Sequence, residues 1–175
     1  IEDCRFDYPS YNKLVLGDCR RPEVSGFTCA PAPPVATSSR EEAYASHDNV
    51  LRNCTFRRMD GPALEIHGRD NTIENCLFSE VDYTCLGTGS EGAINMIRSA
   101  GTVFRRNTVR TTGNSEGIRA GVRNRIEFNH VHQMSLIQHD GSQINLGVAA
   151  QEGSIVRNNW SHDSAKAALR FDSAY

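Results

Sequence analysis

The feature that most constrains this fold is an internal repeat of irregular length. An apolar residue is followed by two variable residues, then Cys or Asn, one variable residue and a second apolar residue. The pattern reads IEDCRF from Ile1, LRNCTF from Leu51, IENCLF from Ile73, FRRNTV from Phe104, IEFNHV from Ile126 and IVRNNW from Ile155, with a weaker copy, VSGFTC, from Val24. Successive starts lie 23, 27, 22, 31, 22 and 29 residues apart, which excludes the fixed-length helical repeats. Each strong copy is trailed by a short alternating apolar stretch: LVL at Leu14, LEI at Leu64, INM at Ile94, IRA at Ile118, INL at Ile144 and LRF at Leu169. Period-two alternation bounded by Gly, Asn and Asp is a strand signal, and no segment offers an amphipathic helix of ten residues.

Short strands on rungs of this length can stack about 4.8 Å apart, so that equivalent residues form ladders along an axis. The expected interior ladders are Ile1, Val24, Leu51, Ile73, Phe104, Ile126 and Ile155, and Phe6, Cys29, Phe56, Phe78, Val109, Val131 and Trp160. Between them runs Cys4, Phe27, Cys54, Cys76, Asn107, Asn129 and Asn158. Asn tolerates left-handed turn geometry, and its amide can bond to the neighbouring rungs, so Asn107, Asn129 and Asn158 read as a structural ladder.

These I-x-x-N-x-V/F units, with their Cys variants at Ile1, Leu51 and Ile73, resemble the short repeats of the right-handed parallel β-helix (pectate-lyase-like) superfamily over almost the whole chain. The resemblance implies an all-β, right-handed parallel β-helix of about seven rungs, a single segment over residues 1–175. A Pro/Ser-rich loop over 17–48 falls within its second rung. The superfamily includes polysaccharide lyases, hydrolases, epimerases, tailspikes, adhesins and structural proteins, so the fold does not choose the activity.

Composition narrows the function classes. Hydrophobic residues make up 38% of the 175, charged residues 23%, and the net charge is −2, which argues against nucleic-acid binding by bulk charge. No 18-residue apolar run spans a membrane. Of the 19 basic residues 17 are Arg, which suits planar contacts to carboxylates and also fits simple compositional bias. All six cysteines fall between positions 4 and 85, a usage that favours a secreted, extracellular or cell-surface protein. A Cys19–Cys29 bridge would staple the long loop, with a core-facing Cys29 as the rival; Cys4, Cys54 and Cys76 read as stacked buried thiols. The sequons at Asn53 and Asn159 are glycosylation candidates, although ladder chemistry alone also places Asn beside Ser or Thr. The GTGSEG run at Gly87 has no following helix to cradle phosphate and reads as a loop.

Chemistry would sit on the outer face of the strands that carry the second apolar stretch. One outward column reads Val15, Glu65, Asn95, Arg119, Asn145 and Arg170; its neighbour reads Gly17, His67, Ile97, Gly121, Gly147 and Asp172. As a glycan-binding face this offers Glu65, Asn95, Arg119, Asn145, Arg170 and Asp172, and the resemblance implies that a substrate groove lies there. Were the chain a uronate lyase, Arg119 and Arg170 would neutralise the carboxylate, and His67 or the pair His139 and Asp140 would serve as base or acid. Ca2+ belongs to that reading alone, because no Asp/Glu cluster dense enough for a calcium cage is visible. A hydrolase needs two facing carboxylates, and Glu65 and Asp172 are several rungs apart. His130 and His132 flank Val131 with His162 one rung on, yet no Cys or Glu joins them at close spacing, so they read as surface histidines and no metal is expected.

The chain opens inside a repeat and closes directly after a strand. Solenoids need capping, so the expectation is continuation in a longer chain or end-to-end contact with itself or with other subunits of an extracellular assembly. A structural or adhesive filament component is therefore the leading expectation, with a carbohydrate-active enzyme or a non-catalytic module acting on acidic polysaccharide as alternatives.

Overall fold

The computed structural model describes residues 1–7, 14–16, 46–83, 92–114, 116–138 and 140–172. Three parallel sheets wrap one apolar interior. The first holds β3 (Val50–Arg52), β6 (Thr72–Glu74), β9 (Val103–Arg105), β12 (Arg125–Glu127) and β15 (Ile155–Arg157). The second holds β1 (Arg5–Asp7), β4 (Thr55–Met59), β7 (Leu77–Val81), β10 (Thr108–Thr112), β13 (His130–His132) and β16 (Trp160–His162). The third holds β2 (Leu14–Leu16), β5 (Leu64–Arg69), β8 (Ile94–Ala100), β11 (Ile118–Arg119), β14 (Ser142–Leu146) and β17 (Ala167–Phe171). Each rung contributes one strand per sheet, and every strand pairs only with the rungs before and after it, which makes the fold a parallel β-helix.

The described residues stack as six rungs. Phe6 lies opposite Phe56 and Leu14 opposite Leu64, so the first rung rests directly on the one that begins near Leu51. No rung intervenes for the weak copy at Val24. Val24, Phe27, Cys19 and Cys29 themselves lie outside the described residues, as does Cys85.

The recurring sequence unit is the corner between the first and second sheets. Asp3, Asn53, Asn75, Arg106, Phe128 and Asn158 all adopt left-handed backbone there, with φ between 53° and 58°. This turn has a fixed length: Leu51 and Phe56, Ile73 and Phe78, Phe104 and Val109, and Ile126 and Val131 are each core residues five positions apart, aligned rung to rung. Asn, Asp or Gly suits such a backbone best; Arg106 and Phe128 occupy it because the neighbouring rungs determine the turn.

The last repeat is shifted by one residue from its expected frame. Val156, not Ile155, lies opposite Ile126, and Ser161, not Trp160, lies opposite Val131. The ladder amide is accordingly Asn159, whose Oδ1 accepts from the Asn129 backbone N–H at 3.0 Å, while Asn158 takes the left-handed turn. Asn158-Asn159 satisfies either frame in sequence, and the large apolar Ile155 and Trp160 favour the wrong one; both are exposed, Trp160 by 65%.

Buried amides tie the rungs together at this corner. Asn107 donates through Nδ2 to the Ile73 carbonyl at 3.0 Å and accepts from the Cys76 N–H at 2.9 Å. Asn129 accepts from the Asn107 N–H at 3.0 Å and donates to the Phe104 carbonyl at 2.9 Å. Asn129→Ala would orphan a buried N–H and a buried carbonyl, at about 1–3 kcal/mol for each group. A fall in unfolding free energy of that size is the expected result in denaturant titrations, against a near-zero change for Asn158→Asp, which keeps a residue suited to the left-handed turn.

Of the three cysteines described here, Cys54 and Cys76 are buried and Cys4 is exposed, which departs from the expectation of three buried thiols. Burial pushes the Cys76 thiol up to about 12, so it stays protonated and unreactive at neutral pH.

Outside the first sheet, the signs of charge alternate up the axis. Glu2, Arg52, Glu74, Arg105, Glu127 and Arg157 lie opposite one another on six successive rungs. Arg52 Nε meets Glu74 at 2.6 Å and Arg105 Nε meets it at 2.7 Å, while Glu127 takes Arg157 at 2.8 Å and Arg125 at 2.9 Å. Hydrogen bonds from Arg105 and Arg52 hold Glu74 below the usual carboxylate range, and that from Arg157 does so first for Glu127. With folded values below unfolded ones, this stabilisation is present above about pH 4.3 and disappears as pH falls through the folded values. Denaturant midpoints are therefore expected to drop as pH falls below about 4.3, and less steeply in a Glu74→Gln, Glu127→Gln variant.

Candidate functional site

The outer face of the third sheet is built by alternation. Leu64, Ile66, Ile94, Ile118, Ile144 and Leu146 enter the core, which turns the residues between them outward. Val15, Glu65, Asn95, Arg119, Asn145 and Arg170 pair in one unbroken column. The neighbouring column departs from expectation: a bulge between Glu65 and His67 sets His67 opposite Arg98 instead of Ile97.

The face is not a solvated floor. Glu65, His67, Asn95 and Asn145 are buried, Asn145 to 1% exposure. Near one end, Glu65 Oε1 meets His67 Nε2 at 2.9 Å and Arg98 Nη1 at 3.5 Å. His67 thus has a carboxylate partner on its own strand, as a positioned imidazole requires.

Further along the axis lies a second cluster. Glu116 Oε2 contacts Arg119 Nε at 2.5 Å, and Glu116 Oε1 accepts from Asn145 Nδ2 at 3.1 Å. One rung beyond Asn145, Arg170 donates to Asp140 Oδ1 at 2.8 Å and to Asp172 Oδ1 at 3.1 Å. Arg119 Nη1 is buried and has no hydrogen-bond acceptor among the described residues. Burial raises Glu116 above the usual carboxylate value, against the opposing charge of Arg119. Asp140 moves the other way, held down by the hydrogen bond from Arg170 and then by the Gly141 N–H. Asp140 is open to solvent and Glu116 is enclosed.

Of the expected residues, Arg119, Asn145, Arg170, Asp140 and Asp172 come together, and Glu65, His67 and Asn95 lie nearer the N-terminal rungs. His139 lies outside the described residues. Glu116 and Arg98 were missed because Glu116 sits in the corner before β11 and Arg98 follows a bulge. The only sequence signal for Glu116 was a charged residue three positions ahead of Arg119.

A separate group lies on the second sheet. His130 and His132 occupy β13, and His162 lies opposite His132 on β16. The spacing in sequence gave no reason to expect a metal, yet one ring nitrogen from each lies within 4.8 Å of the others. Desolvation, with His162 and Arg110 nearby, lowers His130, and desolvation followed by His130 lowers His132.

The sequon residues both have structural partners. Asn159 Nδ2 donates to the buried Ile126 carbonyl at 2.8 Å, a bond that a glycan there would have to displace. Asn53 lies on an outer ladder, donating to Asp3 at 3.0 Å and accepting from Asn75 at 2.7 Å.

No curated protein matches the chain, and no solved structure does. A family model described as right handed beta helix region matches residues 36–174, most of the chain. That match joins the three parallel sheets and the rung-to-rung register to a known architecture and supplies its hand: the chain belongs to the right-handed β-helix family.

Proposed function

We propose that this protein is a carbohydrate-active enzyme that cleaves glycosidic bonds of an acidic polysaccharide lying along the outer face of the third sheet. The observation that carries the reading is a pair of carboxyl groups, Glu116 and Asp140, on neighbouring rungs with environments that push their proton affinities apart. Such a division assigns the acid and the base. Protonated Glu116 donates to the glycosidic oxygen as the bond breaks; ionised Asp140 takes the proton of the attacking water, and the water oxygen bonds to the anomeric carbon. Their anchors, Asn145 and Arg170, pair across one rung, and the charge of Asp140 acts on Glu116, which supports reading the two carboxyls as one pair of the kind that glycoside cleavage uses. Arg119 and Arg170 supply cations for substrate carboxylates, and the acceptor-free Nη1 of Arg119 supports that role. A polymer of this kind goes with a secreted protein.

The test is incubation with polygalacturonate and with alginate, following reducing ends and the ultraviolet absorbance of unsaturated uronates. New reducing ends without that absorbance are the expected result. Unsaturated product stimulated by Ca2+ would replace hydrolysis with the lyase reading, and binding without cleavage would leave a glycan-binding module.

A further inference from the structure

We propose that His130, His132 and His162 form a binding site for one divalent transition metal ion of the zinc class on the outer face of the second sheet. Two residues apart on one strand, His130 and His132 project to the same side, and His162 comes from the next rung directly opposite His132. The three imidazoles therefore sit at the corners of a triangle, the arrangement of a three-histidine site with an open fourth position for solvent or substrate.

Ring orientation supports convergence. The Nε2 atoms of His130 and His162 are 2.7 Å apart although the ring centroids are 5.0 Å apart, so the rings meet edge to edge with these nitrogens facing each other. Tetrahedral bonds of about 2.0–2.1 Å would separate them by about 3.4 Å, a small opening through side-chain rotation. The third nitrogen, within 4.8 Å, closes inward by rotation about its own side-chain bonds.

A second, independent observation concerns the partner of His162. Its Nδ1 lies 2.9 Å from Asp163 Oδ2, leaving Nε2 directed at His130. A carboxylate on the far nitrogen fixes the tautomer and orientation of a metal-ligating histidine. Trp160 stacks on His130 with centroids 4.5 Å apart and planes 8° apart, which walls one side of the triangle.

Trp160 is the only tryptophan of the chain and so reports directly on the site. Untagged full-length protein would be titrated with Zn2+ by calorimetry and with Cu2+ by tryptophan fluorescence. One Zn2+ per chain, stoichiometric quenching by Cu2+, and a thermal midpoint raised several degrees by excess Zn2+ are expected. His132→Ala and His162→Ala should weaken Zn2+ binding at least about 100-fold, and Asp163→Asn about 10–100-fold. His47→Ala, outside the cluster, should leave it unchanged. Absence of saturable binding, or equal binding by wild type and His162→Ala with both folded by circular dichroism, would overturn the site. Neither outcome depends on glycan cleavage, so this site and the proposed activity stand or fall separately.

Discussion

Glu116→Gln is expected to slow cleavage of the responsive polysaccharide by about 10²–10⁴-fold, the usual contribution of a positioned acid. The amide keeps the shape of the carboxyl group and its acceptor for Asn145 but has no proton to give. Arg119 loses the carboxylate it faces whenever Glu116 is ionised, so some loss of stability accompanies the change, and rates belong well below the thermal midpoint. The pH profile separates catalysis from that side effect. Activity should rise as Asp140 ionises, below the usual carboxylate range, and fall as Glu116 loses its proton, above it. An optimum on the acidic side follows, and Asp140→Asn should remove the acidic limb. Wild-type rates and profile in Glu116→Gln would remove Glu116 from the mechanism.

Phe78→Ala should lower stability by about 3–5 kcal/mol. Phe78 is fully buried in a ring stack running Phe6, Phe56, Phe78 and Phe104, with centroid separations of 4.6, 4.8 and 6.0 Å. Neighbouring rungs are held on both sides, so the backbone cannot collapse into the space that the ring leaves. Solenoid stability is approximately a sum of rung and interface contributions. Deletion of this ring weakens two interfaces at once, and chemical denaturation is expected to split into two transitions. Phe78→Leu, which retains most of the volume, should lower the midpoint far less; a loss below about 1.5 kcal/mol in the alanine variant would contradict the packing argument.

The sequence discloses the fold through the one corner whose length does not change. Between Leu51 and Phe56, and at every later rung, a left-handed residue and a Cys or Asn must fall at fixed places, so the chain repeats there and can be aligned by eye. The other two corners vary: Phe78 and Ile94 are sixteen residues apart where Phe56 and Leu64 are eight. Glu116 and Asp140 lie in those variable corners, outside any column that periodicity can assign. Arg119, Asn145 and Arg170, being strand residues, were placed correctly. The one-residue error at Ile155 arose where two adjacent asparagines made the frame ambiguous, and His130, His132 and His162 read as surface histidines because no Cys or Glu joins them at close spacing.

The alternating acids and bases along the first sheet bear on how such a chain finds its register. Rungs with similar cores can pair with the wrong neighbour, the hazard that repetition brings to folding. If β6 were skipped, Arg52 of β3 would face Arg105 of β9; an omission of β9 would bring Glu74 against Glu127. Each such mispairing sets like charges directly opposite, which disfavours it before the interior has closed. Only odd offsets restore attraction, and those demand far longer loops. The column therefore acts as a parity check on assembly, and neutralising it should raise the yield of misfolded chains during refolding more than it lowers the stability of the native state.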